Sequence, residues 1–210
     1  MPSDLRKSAV PWAVAFLLLF LLLALWPGAQ AGLSYQRSAI ASGEYWRIFT
    51  GHFVHLNLAH AVMNGVGTLM LAVFLREELP LRYWWAVTLL APFVISLGLW
   101  LKQPGLVSYV GFSGVLHGLL YLGVLRLLPV APAFAGTVLA LLVGRQIWEQ
   151  TGFYDADYLR GLIHGRVMPD AHLFGALTGL VTGGCSLLLG RLHKQKVTGY
   201  SAGTGQSPDA

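Results

Sequence analysis

Apolar residues run along this chain in blocks about as long as a bilayer is thick, separated by short polar stretches. Six blocks stand out, at about 9–26, 53–75, 83–101, 110–128, 131–148 and 171–190. A helix needs roughly 20 mostly apolar residues to cross the hydrocarbon layer, so the pattern predicts an all-α membrane protein with six transmembrane helices in a single bundle. Pro92 falls inside the third block. Membrane helices tolerate such a proline when neighbours satisfy the freed carbonyl. The pattern divides the chain into an N-terminus at 1–8, a six-helix domain at 9–192 and a polar tail at 193–210. From Thr198 onward the tail is small and polar and is expected to be disordered, because it has too little apolar surface to offset the entropy of ordering. The stretch from about 28 to 46 is longer than a simple turn, and loops of that length are often functional.

Composition supports the membrane reading. Of 210 residues, 55% are hydrophobic and 11% charged, against about 25% charged in an ordinary soluble domain. Arg6 and Lys7 precede the first block, which resembles a signal peptide. The apolar stretch is long for that, and more spans follow, so an uncleaved first span is expected. An even number of spans puts both termini on one side. That side carries Arg6, Lys7, Arg76, Arg82, Arg126, Arg191, Lys194 and Lys196, and the positive-inside rule makes it cytoplasmic. The formal net charge of +5 suits loops facing anionic lipid. No basic cluster interleaved with aromatics argues for nucleic acid. The single cysteine, Cys185, excludes an intrachain disulfide and reads as a helix-packing residue.

Polar residues inside the apolar blocks change the picture from structure to chemistry. Ionisable groups at membrane depth are costly and point to function. His55, His60 and Asn64 lie in the second block, Ser113 and His117 in the fourth, and His172 at the start of the sixth. In the assigned topology these three blocks all begin on the outer side, so their polar residues sit at similar depth. His60 and Asn64 are four apart, as are Ser113 and His117, so each pair shares a helix face. Gly114 and Gly118 in the fourth block face a row of Ala171, Gly175, Gly179 and Gly183 in the sixth. Rows of small residues let helices approach closely, which brings Ser113 within reach of His172. A serine hydroxyl is a poor nucleophile until a base takes its proton, and a histidine on the neighbouring helix supplies one. Backbone N–H groups near Ser113, with Asn64 and His60, are candidate stabilisers of the resulting oxyanion.

Each residue alone also has a plain structural reading: a serine bonded to its own helix, an interhelical histidine, an asparagine holding helices together. No Asp or Glu occupies the apolar interior of the blocks, so no third member of a triad is expected. Asp170 is two residues from His172, and such neighbours on a helix face apart. The histidines lack an H-E-x-x-H pattern and no Cys or carboxylate joins them, so no metal is expected.

At these residues the chain resembles the rhomboid intramembrane serine proteases, over about residues 44–185. "EYWRIFT" (44–50) resembles the family's tryptophan-arginine element, and "HLNLAHAVMN" (55–64) its second-span motif. "GFSG" (111–114) matches its G-x-S-G nucleophile motif, and "AHLFGALTG" (171–179) its alanine-histidine motif with spaced glycines. The resemblance implies a rhomboid-like bundle in which Ser113 is the nucleophile and His172 the base, a dyad without a carboxylate. It further implies that His60, Asn64 and the Ser113 N–H stabilise the oxyanion. Gly111, Gly114, Gly175 and Gly179 serve as motif and packing residues, and Trp46 and Arg47 anchor the outer loop in the membrane interface. Common rhomboids carry an aromatic residue four positions after the nucleophile, stacked on the histidine; here it is His117, which stacks or donates a hydrogen bond to His172. That version resembles the bacterial rhombosortase subfamily. The implied reaction needs no cofactor. It cleaves membrane-anchored proteins near a C-terminal Gly-Gly that precedes an apolar span, in the bacterial inner membrane, with the site open to the periplasm. A generic rhomboid protease with other transmembrane substrates is the nearest alternative. A catalytically silent rhomboid-like binding protein fits less well, because Ser113 and His172 are both intact. A transporter fits least, because the inner halves of the spans carry no acidic pairs and the chain no inverted repeat.

Overall fold

In an apolar layer the backbone must satisfy its own hydrogen bonds, and an isolated apolar run does so as a helix. The computed structural model describes residues 8–203, and every predicted block contains a long helix. These are α1 (Val10–Leu25), α5 (Leu58–Phe74), α6 (Leu81–Lys102), α7 (Ser113–Leu127), α8 (Pro132–Glu149) and α10 (Pro169–Gly203), with the short α9 (Arg160–Ile163) between the last two. Prolines mark their starts: Pro11 and Pro132 stand in the first turns of α1 and α8, Pro80 caps α6, and Pro169 opens α10. A proline there loses no hydrogen bond, because the first N–H groups of a helix lack intrahelical acceptors. By length and composition, Leu81–Lys102 and Pro169–Gly190 are clear candidates to cross a membrane, and α1, α5 and α7 are shorter apolar helices. α8 is more polar in its last turns, where Arg145, Gln146 and Glu149 lie. α6 remains one helix through the buried Pro92.

Large apolar side chains cover much of the surface, and several polar ones join the apolar core inside. Leu18, Leu22, Phe74, Leu101, Leu141 and Leu188 are exposed, while Arg47, His52, His60, Asn64, Glu149 and His172 are buried. An apolar exterior with polar groups gathered inside is what a lipid surround favours.

Two boundaries differ from the sequence expectation. The second helix begins at Leu58, because the side chain of Asn57 accepts a 2.9 Å hydrogen bond from the His60 N–H and caps the helix there. His55, expected within the second span, therefore lies in the preceding loop. α10 runs on to Gly203, past the expected end near 190; no proline follows Pro169 until Pro208. The disorder expected from Thr198 thus falls partly on helix and partly on 204–210, outside the described residues. The fold is also not purely helical. A two-residue strand β1 (Tyr35–Gln36) pairs antiparallel with β2 (Ser108–Tyr109), Tyr35 opposite Tyr109.

The segment between α1 and α5 folds into short helices α2 (Ala29–Leu33), α3 (Arg37–Ala41) and α4 (Arg47–Thr50) around β1. Arg47 organises it from within. Its guanidinium donates to the carbonyls of Ser34 (3.0 Å) and Ala31 (2.9 Å) and to the Glu44 carboxylate (2.7 Å). The Arg47 side chain is buried, and these three bonds tie the loop together from inside. Trp46 is half exposed and donates from Nε1 to the Gly32 carbonyl at 3.2 Å.

α7 packs most extensively on α10. A Cβ at Gly175 would lie 2.6 Å from the carbonyl carbon of Gly114, and one at Gly179 would lie 2.8 Å from that of Gly118. Only glycine permits this approach, so the small-residue rows seen in the sequence are the contact face. At the C-terminal end of α6, Lys102 donates to Asp170 (2.5 Å) and to Gln150 just after α8 (3.1 Å), and Gln103 donates to the other Asp170 oxygen (2.5 Å). The clasp fixes the ends of α6 and α8 and the start of α10 at one level.

Candidate active site

Ser113 is the first residue of α7, so its N–H has no acceptor within the helix. The chain reaches it through Gly111, whose φ of 121° lies in the left-handed region that favours glycine. Gly111 N–H donates to the Gly51 carbonyl at 3.1 Å, and its own carbonyl accepts from the Tyr109 hydroxyl at 3.0 Å. A side chain at 111 would also have no room: its Cβ would lie 2.8 Å from Cε1 of His60.

The close approach of α7 and α10 sets Ser113 Oγ 3.1 Å from His172 Nε2. The His117 ring stacks on that of His172, centroids 4.0 Å apart and planes within 14°. Its Nδ1 is 2.8 Å from the Ser113 carbonyl, one turn back on its own helix. Of the two arrangements expected for His117, stacking on His172 is the one observed. On α5, His60 and Asn64 are both buried and lie on the Gly111 side of Ser113. His60 Nδ1 accepts from the Leu56 N–H at 3.4 Å, which leaves the ring proton on Nε2. Asn64 Nδ2 is buried without a protein partner. Two N–H donors thus stand beside the left-handed turn that leads into Ser113. Ser113, His172, His117, His60 and Asn64 line a cleft of about 920 Å³, together with Leu159, Ile163, Val167 and Met168.

Sequence reasoning missed one residue. Glu149, the last residue of α8, places Oε2 3.0 Å from His172 Nδ1. Its other oxygen meets Arg145, at 3.0 Å from Nε and 2.8 Å from Nη2. The expectation that no carboxylate reaches the histidine is corrected. Glu149 lies just past the fifth apolar block, and the shared level of helix ends carries it to His172. The available signal was the Arg145/Glu149 spacing of four at the C-terminal end of an otherwise apolar helix. Asp170, by contrast, is engaged by Lys102 and Gln103 and does not face the imidazole.

His117, Glu149 and His172 bring potential metal-ligand atoms within 4.8 Å of one another. Imidazole binds a metal through an in-plane lone pair at about 2.0–2.1 Å. Two rings stacked face to face at 4.0 Å cannot both point such a pair at one ion, so this arrangement serves proton chemistry better than chelation.

The apolar exterior and the serine, histidines and carboxylate gathered between the helices point to a helical membrane protein with a polar cleft. A family model described as the Rhomboid domain matches residues 42–188. The chain belongs to the rhomboid family, whose members are intramembrane serine proteases acting on membrane-embedded substrates. No curated protein matches the chain.

Proposed function

We propose that this chain is a serine endopeptidase that cleaves membrane-anchored proteins, with Ser113 as nucleophile and His172 as base. The observation that carries the reading is the 3.1 Å contact between Ser113 Oγ and His172 Nε2 at the floor of a cleft. Nε2 takes the hydroxyl proton as Oγ bonds to the scissile carbonyl carbon, and the carbonyl π pair moves to oxygen. The oxyanion is met by the Ser113 N–H, His60 Nε2–H and Asn64 Nδ2, donors held in place before reaction. The C–N bond then breaks, and the amine leaves with the proton from Nε2. A water molecule repeats the sequence on the acyl-enzyme and frees Oγ.

Within the family we favour the rhombosortase reading: cleavage near a C-terminal Gly-Gly that precedes an apolar span and a basic tail, at a bacterial inner membrane. In this reading the termini are cytoplasmic, the site opens to the periplasm, and His117 takes the place of the usual aromatic. The six long helices and the basic termini are consistent with it. The test is co-expression with a membrane-anchored reporter ending in such a segment, with mass spectrometry of the released C-terminus. Release next to the glycine pair, lost in Ser113→Ala, is expected. Cleavage that ignores the glycine pair makes the chain a generic rhomboid protease. Release that persists in Ser113→Ala refutes the dyad.

A further inference from the structure

We infer that Glu149 is a positioning residue of this reaction, converting the Ser113–His172 pair into a carboxylate–imidazole–hydroxyl triad clamped by Arg145. The inference rests on the protease reading above and adds a residue to it.

Burial is the first reason. The Glu149 side chain has no solvent exposure, whereas Arg145 is about half exposed. An ordinary helix-surface ion pair with this spacing would leave both groups in solvent and contribute little. Here the carboxylate is taken out of water and turned inward, a cost met only when both oxygens find donors. One oxygen is held by the Arg145 fork. The other has His172 Nδ1 at 3.0 Å and Gln146 Nε2 at a long 3.4 Å. The imidazole is therefore the main partner of the inward-facing oxygen.

Proton placement follows. A carboxylate accepts and does not donate, so Nδ1 carries the ring proton and the Nε2 lone pair faces the Ser113 hydroxyl. This is the tautomer a base needs. When Nε2 takes the serine proton, the carboxylate at 3.0 Å offsets the new positive charge without moving. The His117 ring, stacked within 14° of coplanar, holds the imidazole against rotation out of the line between Glu149 and Ser113. The orientation of Glu149 is set in turn by Arg145 and by the Lys102 contacts to Gln150 and Asp170 that level α8 with α10.

Glu149→Gln separates this role from simple packing. Arg145 only donates, so the amide oxygen of glutamine turns to Arg145 and its NH₂ turns to Nδ1. The ring then moves its proton to Nε2, where it cannot accept from serine. The probe is a fluorophosphonate dye in detergent. Its phosphorus takes Ser113 Oγ, fluoride leaves, and His172 receives the proton. The maximal labelling rate of Glu149→Gln should fall by roughly 10²–10⁴-fold, with the probe's half-saturation concentration held within about twofold. Glu149→Asp should restore part of the rate, and Arg145→Gln should lose less than Glu149→Gln. Nitrogen-15 NMR of histidine-labelled protein, with His172→Ala used to assign the signal, should show the Nδ1–H tautomer in the wild type. That measurement does not depend on any Glu149 variant folding. An Nε2–H tautomer in the wild type, or wild-type labelling by Glu149→Gln while Ser113→Ala is silent, overturns the role of Glu149. Labelling that persists in Ser113→Ala overturns the protease reading itself and the role with it.

Discussion

Gly175→Ala adds one methyl group at the seam between α7 and α10, and its effect can be worked out from the seam itself. The new carbon would overlap the carbonyl oxygen of Gly114 and lie 2.6 Å from its carbon. Ordinary contact between such atoms begins near 3.4 Å, so the helices must separate or rotate by about 1 Å. Ser113 directly precedes Gly114 and His172 lies three residues before Gly175, and the two are 3.1 Å apart. A further 1 Å takes them beyond hydrogen-bond reach. A misplacement of that size costs about 10²-fold in rate, and the overpacking costs about 1–3 kcal/mol of stability. Gly184→Ala on the same helix is the control, because nothing lies within 4 Å of its added carbon. Rates of fluorophosphonate labelling and melting temperatures in one detergent measure both effects. Wild-type labelling and melting in Gly175→Ala would refute the claim that backbone contact at this glycine sets the serine–histidine distance.

Asn64→Ala should lower the maximal labelling rate, toward the lower end of the 10²–10³-fold loss typical for one oxyanion donor because other donors share the charge. A change only in half-saturation would reassign Asn64 to substrate positioning. His117→Tyr should melt near the wild type and keep a reduced but measurable rate, since a phenol ring can stack on His172; total loss in the folded variant would give the His117 nitrogen a direct role. His52, between α4 and α5, is fully buried, with Nε2 3.0 Å from Ser96 Oγ. Burial pushes its pKa down to about 3 from about 6.5. The unfolded chain therefore binds the proton more tightly, so this contribution to stability is present above about pH 6.5 and is lost as pH falls toward 3. Between pH 7 and pH 5 the loss amounts to about 2 kcal/mol. His52→Gln should lose less stability than the wild type over that interval, and parallel melting curves at the two pH values would refute it.

Much of the site was legible because its residues repeat at helical spacing. The Ser113/His117 pair and the glycine rows lie four apart on their helices, and one contact between two helices turns those rows into a meeting of side chains. Glu149 was hidden for the opposite reason. It lies 23 residues from His172, on a third helix, and no local spacing encodes the level at which α8 ends. That level is set by tertiary contacts of Lys102, a residue with an equally good reading as a loop cation. The partners of Arg47 were hidden in the same way, because the carbonyls it meets belong to residues 31 and 34. The strand pair at Tyr35 and Tyr109 is too short to leave any alternation in the sequence.

Three helix termini converge on the serine–histidine contact, and they have an electrical consequence. Ser113 opens α7 and His172 lies in the first turn of α10, both at positive helix ends, while Glu149 closes α8 at a negative one. Each end behaves as about half an elementary charge over its last turn. In the proposed reaction, the α7 end meets the negative charge that gathers on the attacked carbonyl. The α8 end, with its carboxylate, meets the positive charge that gathers on the imidazole and opposes the start of α10. Charge separation along the line from Gly111 to Glu149 therefore runs down a standing potential. Lipid has no mobile dipoles or ions to build such a potential when a bond breaks. The helix ends are fixed in the backbone, so the chain carries its own polarisation into a layer that supplies none.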